Sequence, residues 1–143
     1  MPIIEGTERV GDGLSSGRHL MVRARYSFAT DGGAVGAITL RMEGGRTIPS
    51  GAFITGAFVQ VATAPTSGGA ATISVGAETA TGFLAATAIS SSPWSTTGPK
   101  HMLTSSSAPV LTTAARSVTI TVATAALTAG VFDVYVTYVD PAA

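Results

Sequence analysis

At 143 residues, with eight basic and eight acidic side chains, the chain has one domain's length and no net charge. That balance argues against a general binder of nucleic acid or of anionic membranes, which needs a basic surplus. The absence of cysteine excludes disulfides, thiolate metal sites and cysteine nucleophiles.

Residues 1–18 come first and show no sustained periodicity. Gly6, Gly11, Gly13 and Gly17 alternate with Glu5, Glu8, Arg9 and Asp12, the composition of an extended N-terminal arm. The opening Met1-Pro2-Ile3-Ile4-Glu5 lacks the basic and apolar regions of a signal peptide. The arm also begins a charged third of the chain. Eleven of the sixteen Asp, Glu, Lys and Arg residues lie in the first 46 positions, leaving Glu78, Lys100, Arg116, Asp133 and Asp140 for the other 97. A nearly neutral body with a charged leading segment reads as a piece of an assembly.

Strand signals then follow in series. His19–Thr30 alternates Leu20, Val22, Ala24, Tyr26 and Phe28 with Met21, Arg23, Arg25 and Ser27, so one face is apolar and the other carries two arginines. Asp31-Gly32-Gly33 predicts a turn and Ala34–Met42 a returning strand. Glu43-Gly44-Gly45 and Ile48-Pro49-Ser50-Gly51 predict further turns. Phe53–Thr63 reads as a strand, Pro65–Gly69 as a hairpin loop, and Ala71–Ala77 as its return with Ile73 and Val75 inward. Thr81–Ile89 is a weaker strand. Residues 90–109, polar around a single Trp94, form the longest loop candidate.

Ser117–Ala123 alternates Val118, Ile120 and Val122 with Ser and Thr, a half-buried strand. Thr128-Ala129-Gly130 predicts a turn, and Val131–Val139 the last strand. The apolar stretch Val118–Val139 is not a membrane span: Thr alternates through it, and Asp133 and Gly130 interrupt it. Frequent Gly and β-branched residues oppose helices of any length. Seven or eight short strands with regular turns predict an all-β single domain, a β-sandwich or jelly roll over residues 19–143. Its small side chains bury little area each, at about 25 cal/mol per Å², so association with further copies is an expected source of stability.

No catalytic constellation emerges. Gly13-Leu14-Ser15-Ser16-Gly17 matches the nucleophile-elbow pattern but lacks the strand before it and the helix after it. His19 and His101 stand alone, without metal-ligand spacing, and no cofactor is implied. Asp31 and Glu43 flank one predicted hairpin and read as exposed turn residues rather than a glycosidase pair. Arg9, Arg18, Arg23, Arg25, Arg41 and Arg46 interleave with acids. Such a mixed-sign surface suits protein docking better than phosphate binding, though single arginines also serve as edge charges against aggregation. Trp94 has three readings: an interface anchor, a carbohydrate-stacking platform, or a core plug.

Four runs, Tyr26–Leu40, Ile48–Ile54, Thr66–Gly76 and Leu127–Val136, together resemble small structural proteins of tailed bacteriophages, the minor capsid or head decoration proteins. The resemblance rests on turn-and-strand patterns over residues 20–140. It implies a sandwich of the β-tulip type on the outside of an icosahedral shell, often trimeric, that stabilises the shell by binding the major capsid protein. On that reading residues 1–18 and the face carrying Arg23 and Arg25 contact the shell or a neighbouring copy. Arg9, Arg18, Arg46 and Trp94 complete the candidate interface. The other reading is a tail-fibre or carbohydrate-binding module, opposed by an aromatic content of only 6%.

Overall fold

The computed structural model describes residues 18–102 and 109–141. Residues 1–17 of the expected arm, with Arg9 and the Gly13–Gly17 motif, lie outside the described residues; its last residue, Arg18, already belongs to a strand. Ten strands follow in order: β1 (Arg18–Ser27), β2 (Gly36–Thr39), β3 (Arg41–Met42), β4 (Phe53–Ser67), β5 (Thr72–Gly76), β6 (Leu84–Ala88), β7 (Gly98–His101), β8 (Val110–Leu111), β9 (Thr119–Ala123) and β10 (Leu127–Asp140). One helical turn, α1 (Phe28–Asp31), and a 3-10 turn at Glu43–Gly45 complete them.

The strands make two antiparallel sheets, so the protein is an all-β sandwich. The small sheet runs β2-β9-β5-β6; the large one runs β3-β1-β10-β4-β7, with β8 also on β4. Both inner faces come from the alternation seen in the sequence. Val22, Ala24 and Tyr26 of β1, Val59 and Val61 of β4, and Phe132, Val134 and Val136 of β10 meet Ile73, Val75, Ile120 and Val122 of the small sheet. Tyr26 stacks on Phe132 at 4.9 Å, and the tilted Trp94 ring lies 4.8 Å from Phe132 on another side. The Tyr26 hydroxyl donates to the Gly32 carbonyl at 2.6 Å, which satisfies it inside the core.

Three expected connections differ. Ala34–Met42 is not one strand: β2 lies in the small sheet and β3 in the large one, with buried Leu40 at the crossing. Pro65–Gly69 is not a hairpin loop, because β4 runs on to Ser67 and pairs there with β10, while β5 joins the other sheet. Thr128-Ala129-Gly130 is not a turn but the start of β10.

The last two differences have one cause. The β4–β10 register shifts between Ala129/Thr66 and Val131/Thr63, which leaves Ala64 and Pro65 unmatched beside Gly130. A bulge of this kind needs no ladder bond from proline, and it needs a glycine where backbones crowd. Gly130 has φ 141°, and a Cβ there would sit 3.0 Å from the Pro65 Cα. The two turn-like residues therefore accommodate each other inside one long strand pair. The true turn before β10 is at Thr124, whose φ is 75° and whose flanking Ala125 N–H donates to the Ala123 carbonyl.

Candidate interaction surface

The outward face of the large sheet is the candidate functional surface. On β1 the alternation that buries Val22, Ala24 and Tyr26 turns His19, Met21, Arg23 and Arg25 outward. Register then sets rows across the face: Arg25–Asp133–Gln60, Arg23–Tyr135–Phe58, Met21–Thr137–Gly56 and His19–Val139–Phe53. Phe58 continues to His101, and Phe53 to Leu111.

One end of the face is ionic. Arg25 donates through Nε and Nη2 to both Asp133 oxygens, at 2.9 and 3.0 Å. Arg23 approaches Asp133 at 3.9 Å and Glu43 at 3.4 Å. Arg41, opposite Arg25, makes the same two-pronged contact with Asp31, at 3.1 and 3.0 Å. Three arginines thus meet three carboxylates, a lattice of zero net charge. Burial opposes the charge on Asp31, but the Arg41 guanidinium and the Ser27 N–H outweigh it and hold its pKa below the ordinary value. The hydrogen bond that Arg25 donates to Asp133 raises the Arg25 pKa above its ordinary value.

The other end is apolar. Phe58 and Tyr135 stack across strands at 5.0 Å and 10°. Beyond them Met21, Phe53 and Leu111 are 52%, 40% and 51% exposed, three of the four large apolar side chains exposed among the described residues. Within this end Thr55 joins Thr137 and His19 by hydrogen bonds, with His19 Nε2 2.9 Å from Thr55 Oγ1.

The sequence-predicted residues are only partly brought together. Arg23 and Arg25 share the ionic end, but their charge is spent within the chain. Arg18 begins β1 opposite Asp140. Arg46 is exposed beyond the 3-10 turn. Trp94 is fully buried against Phe132, so its place is the core plug, and as an anchor or glycan platform it has no surface to offer. Of the 90–109 segment, the described residues 90–102 hold a strand, β7, and the Lys100 ammonium closes a local loop by donating to the Thr96 and Thr97 carbonyls at 2.6 and 3.0 Å. Asp31 and Glu43 bind separate arginines and form no acid–base pair. Among the described residues no three His, Asp or Glu side chains converge on a metal position. Phe53, Leu111 and the Phe58–Tyr135 stack were missed as surface residues; only the alternation of Phe53 with Ile54, of Phe58 with Val59 and of Tyr135 with Val134 signalled it.

Comparison places the fold among known capsid structures. A chain of the acidic stable capsid structure of Helicobacter pylori bacteriophage KHP30 superposes with a TM-score of 0.60 at 19% identity, over 88% of this chain and 90% of that one. A chain of the cyanophage Pam1 capsid asymmetric unit gives 0.58 at 24% identity, over 88% and 87%. At these identities the likeness is one of fold. No family model matches the sequence, and no curated protein does.

Proposed function

We propose that the chain is a structural virion protein of a tailed bacteriophage, a decoration protein that binds the outside of an icosahedral capsid and stabilises it by bridging shell subunits. The observation that carries this reading is the likeness, over nearly the whole chain, to chains from two phage capsid structures. Its mechanism is mechanical. A sandwich supplies a rigid slab, and the outward face of the large sheet supplies a surface with an apolar end for burial and a neutral ionic end for register. An interface of ordinary size buries about 800 Å² on each partner, and repetition over a shell multiplies the gain. The partner is the major capsid protein, bound as a homo-oligomer, a trimer at local three-fold positions. The charged segment of residues 1–18 is assigned to the same contact, because it carries Glu5, Glu8, Arg9, Asp12 and Arg18.

The test is the copy number of this chain per major shell protein in purified particles, measured by quantitative mass spectrometry. A ratio fixed by shell symmetry is expected. A handful of copies per particle assigns the chain to the tail or a fibre, and absence from particles overturns the virion reading. A chain lacking residues 1–18 is expected to fold and to lose attachment.

A further inference from the structure

Three of the four strand ends that border the sheets are blunted by recognisable devices. The edge at β3 is two residues long and carries Arg41. The edge formed by β7 and β8 holds Pro99 and Lys100 in one strand and only two residues in the other. The edge at β6 has a bulge, with the register jumping between Ile73/Thr87 and Val75/Leu84, and its Ala88 carbonyl already accepts from Ser91 N–H. Short strands, charge, proline and bulges are the means by which sheets avoid pairing with strangers.

The fourth edge, β2, is short at four residues but has none of the other devices. From Gly32 to Leu40 the chain carries no charge and no proline. Leu40 N–H donates to the Val118 carbonyl, so alternate residues Ile38 and Gly36 also turn their backbone groups toward β9. Ala37 and Thr39 therefore direct their N–H and C=O groups away from the sheet, and both residues are exposed. Just before the strand Val35 is 58% exposed, the most exposed large apolar side chain described.

We infer that β2 pairs with β2 of a second copy of this chain, antiparallel about a two-fold axis, making one continuous eight-stranded sheet from two four-stranded ones. A second copy is the occupant because two identical open edges pair antiparallel by symmetry, and because this strand brings no like charges opposite each other. The register follows from the free groups. With Ile38 facing Ile38 of the partner on the axis, Ala37 lies opposite the partner's Thr39, and all the outward amides and carbonyls of Ala37 and Thr39 are used. The contact specifies the self-association within the proposed function and rests on that part alone. It is compatible with trimers, since neighbouring three-fold positions on an icosahedral shell are related by two-fold axes.

The test uses the purified full chain, which has no native cysteine. Ala37→Cys and Thr39→Cys proteins are made separately, mixed and mildly oxidised. Opposed residues of a hydrogen-bonded pair stand about 5.5 Å apart, within disulfide reach. The mixture is expected to yield the mixed disulfide dimer, identified by mass, in excess over the dimers that each protein forms alone. Ala86→Cys on the bulged strand is expected to yield none. Ala37→Lys is expected to lose the two-fold contact, read as a fall in sedimentation-derived mass with an unchanged circular dichroism spectrum. A mixture that cross-links no better than its components or than Ala86→Cys overturns the inference, as does an Ala37→Lys protein of unchanged mass. Neither result bears on whether the chain is found in particles, so failure here is distinguishable from failure of the capsid reading.

Discussion

Trp94 is the largest fully buried side chain, and its ring covers one side of Phe132 while Tyr26 covers another. In a core made mostly of Val, Ala and Ile, these three rings supply a disproportionate share of buried area. Trp94→Ala leaves a cavity that the neighbouring strands cannot close, and is expected to cost about 3–5 kcal/mol, read as a lower denaturant midpoint. Glu78 does a different job. It accepts from Arg116 Nε at 2.8 Å and from the Thr113 hydroxyl and N–H, joining the segment after β5 to the one before β9. The Arg116 hydrogen bond, followed by the two Thr113 bonds, lowers its pKa from 4.5 to about 2. A depressed carboxyl contributes stability that is complete above the unfolded value and is lost as pH falls through the folded one. Between pH 4.5 and 2 the parent's melting temperature is therefore expected to fall more steeply than that of Glu78→Gln, measured by a thermal melt series.

At the scale of elements, alternation was legible and connection was not. The inward residues Val22, Ala24, Tyr26, Ile73, Val75, Val118, Ile120 and Val122 stand where period-two patterning puts them. Turn chemistry misled, because Gly and Pro also serve the interior of a long strand pair. Pro65 and Gly130 read as turn residues when each is considered alone, and as a bulge only when β4 and β10 are laid side by side. Asp31-Gly32-Gly33 shows the same ambiguity. The segment does reverse the chain, but Gly33 is needed for close approach: a Cβ there would lie 2.5 Å from the Leu127 carbonyl oxygen. That contact starts β10 and sends the chain across to the small sheet rather than back along β1. Conversely, the turn that matters most carries no signal at all. Thr124 holds φ 75° with a β-branched side chain, a conformation that costs on the order of 1–3 kcal/mol. Thr124→Gly removes the strain and adds the backbone entropy of glycine, about 0.5–1 kcal/mol. A net rise in melting temperature is expected, checked by calorimetry.

For the whole molecule, the sandwich separates its tasks by face and edge. The inner faces hold it together, the β2 edge is left open for a copy, and the described residues leave the outer face of the large sheet uncovered. The concentration of charge in the first third of the sequence pointed to that face, but its meaning changes in three dimensions. Arg23, Arg25 and Arg41 are matched by Asp31, Glu43 and Asp133, so a partner meets no net charge there. Neutralised pairs orient a partner more than they attract it, and their long-range field vanishes. In the proposed capsid contact, affinity then falls to the apolar end, where Phe53 and Leu111 lie opposite each other and are already about half exposed. Removing them sacrifices little folding stability but much of the area available for docking. The double variant Phe53→Ser, Leu111→Ser is accordingly expected to melt close to the parent and to bind purified shells at least about tenfold more weakly, a loss of about 1.4 kcal/mol. Raising the salt concentration is expected to change parent occupancy far less than that substitution does. Both are read by sedimenting shells with bound protein. A steep salt dependence with an unchanged double variant would move the contact from the apolar end to charges outside the arginine–carboxylate lattice.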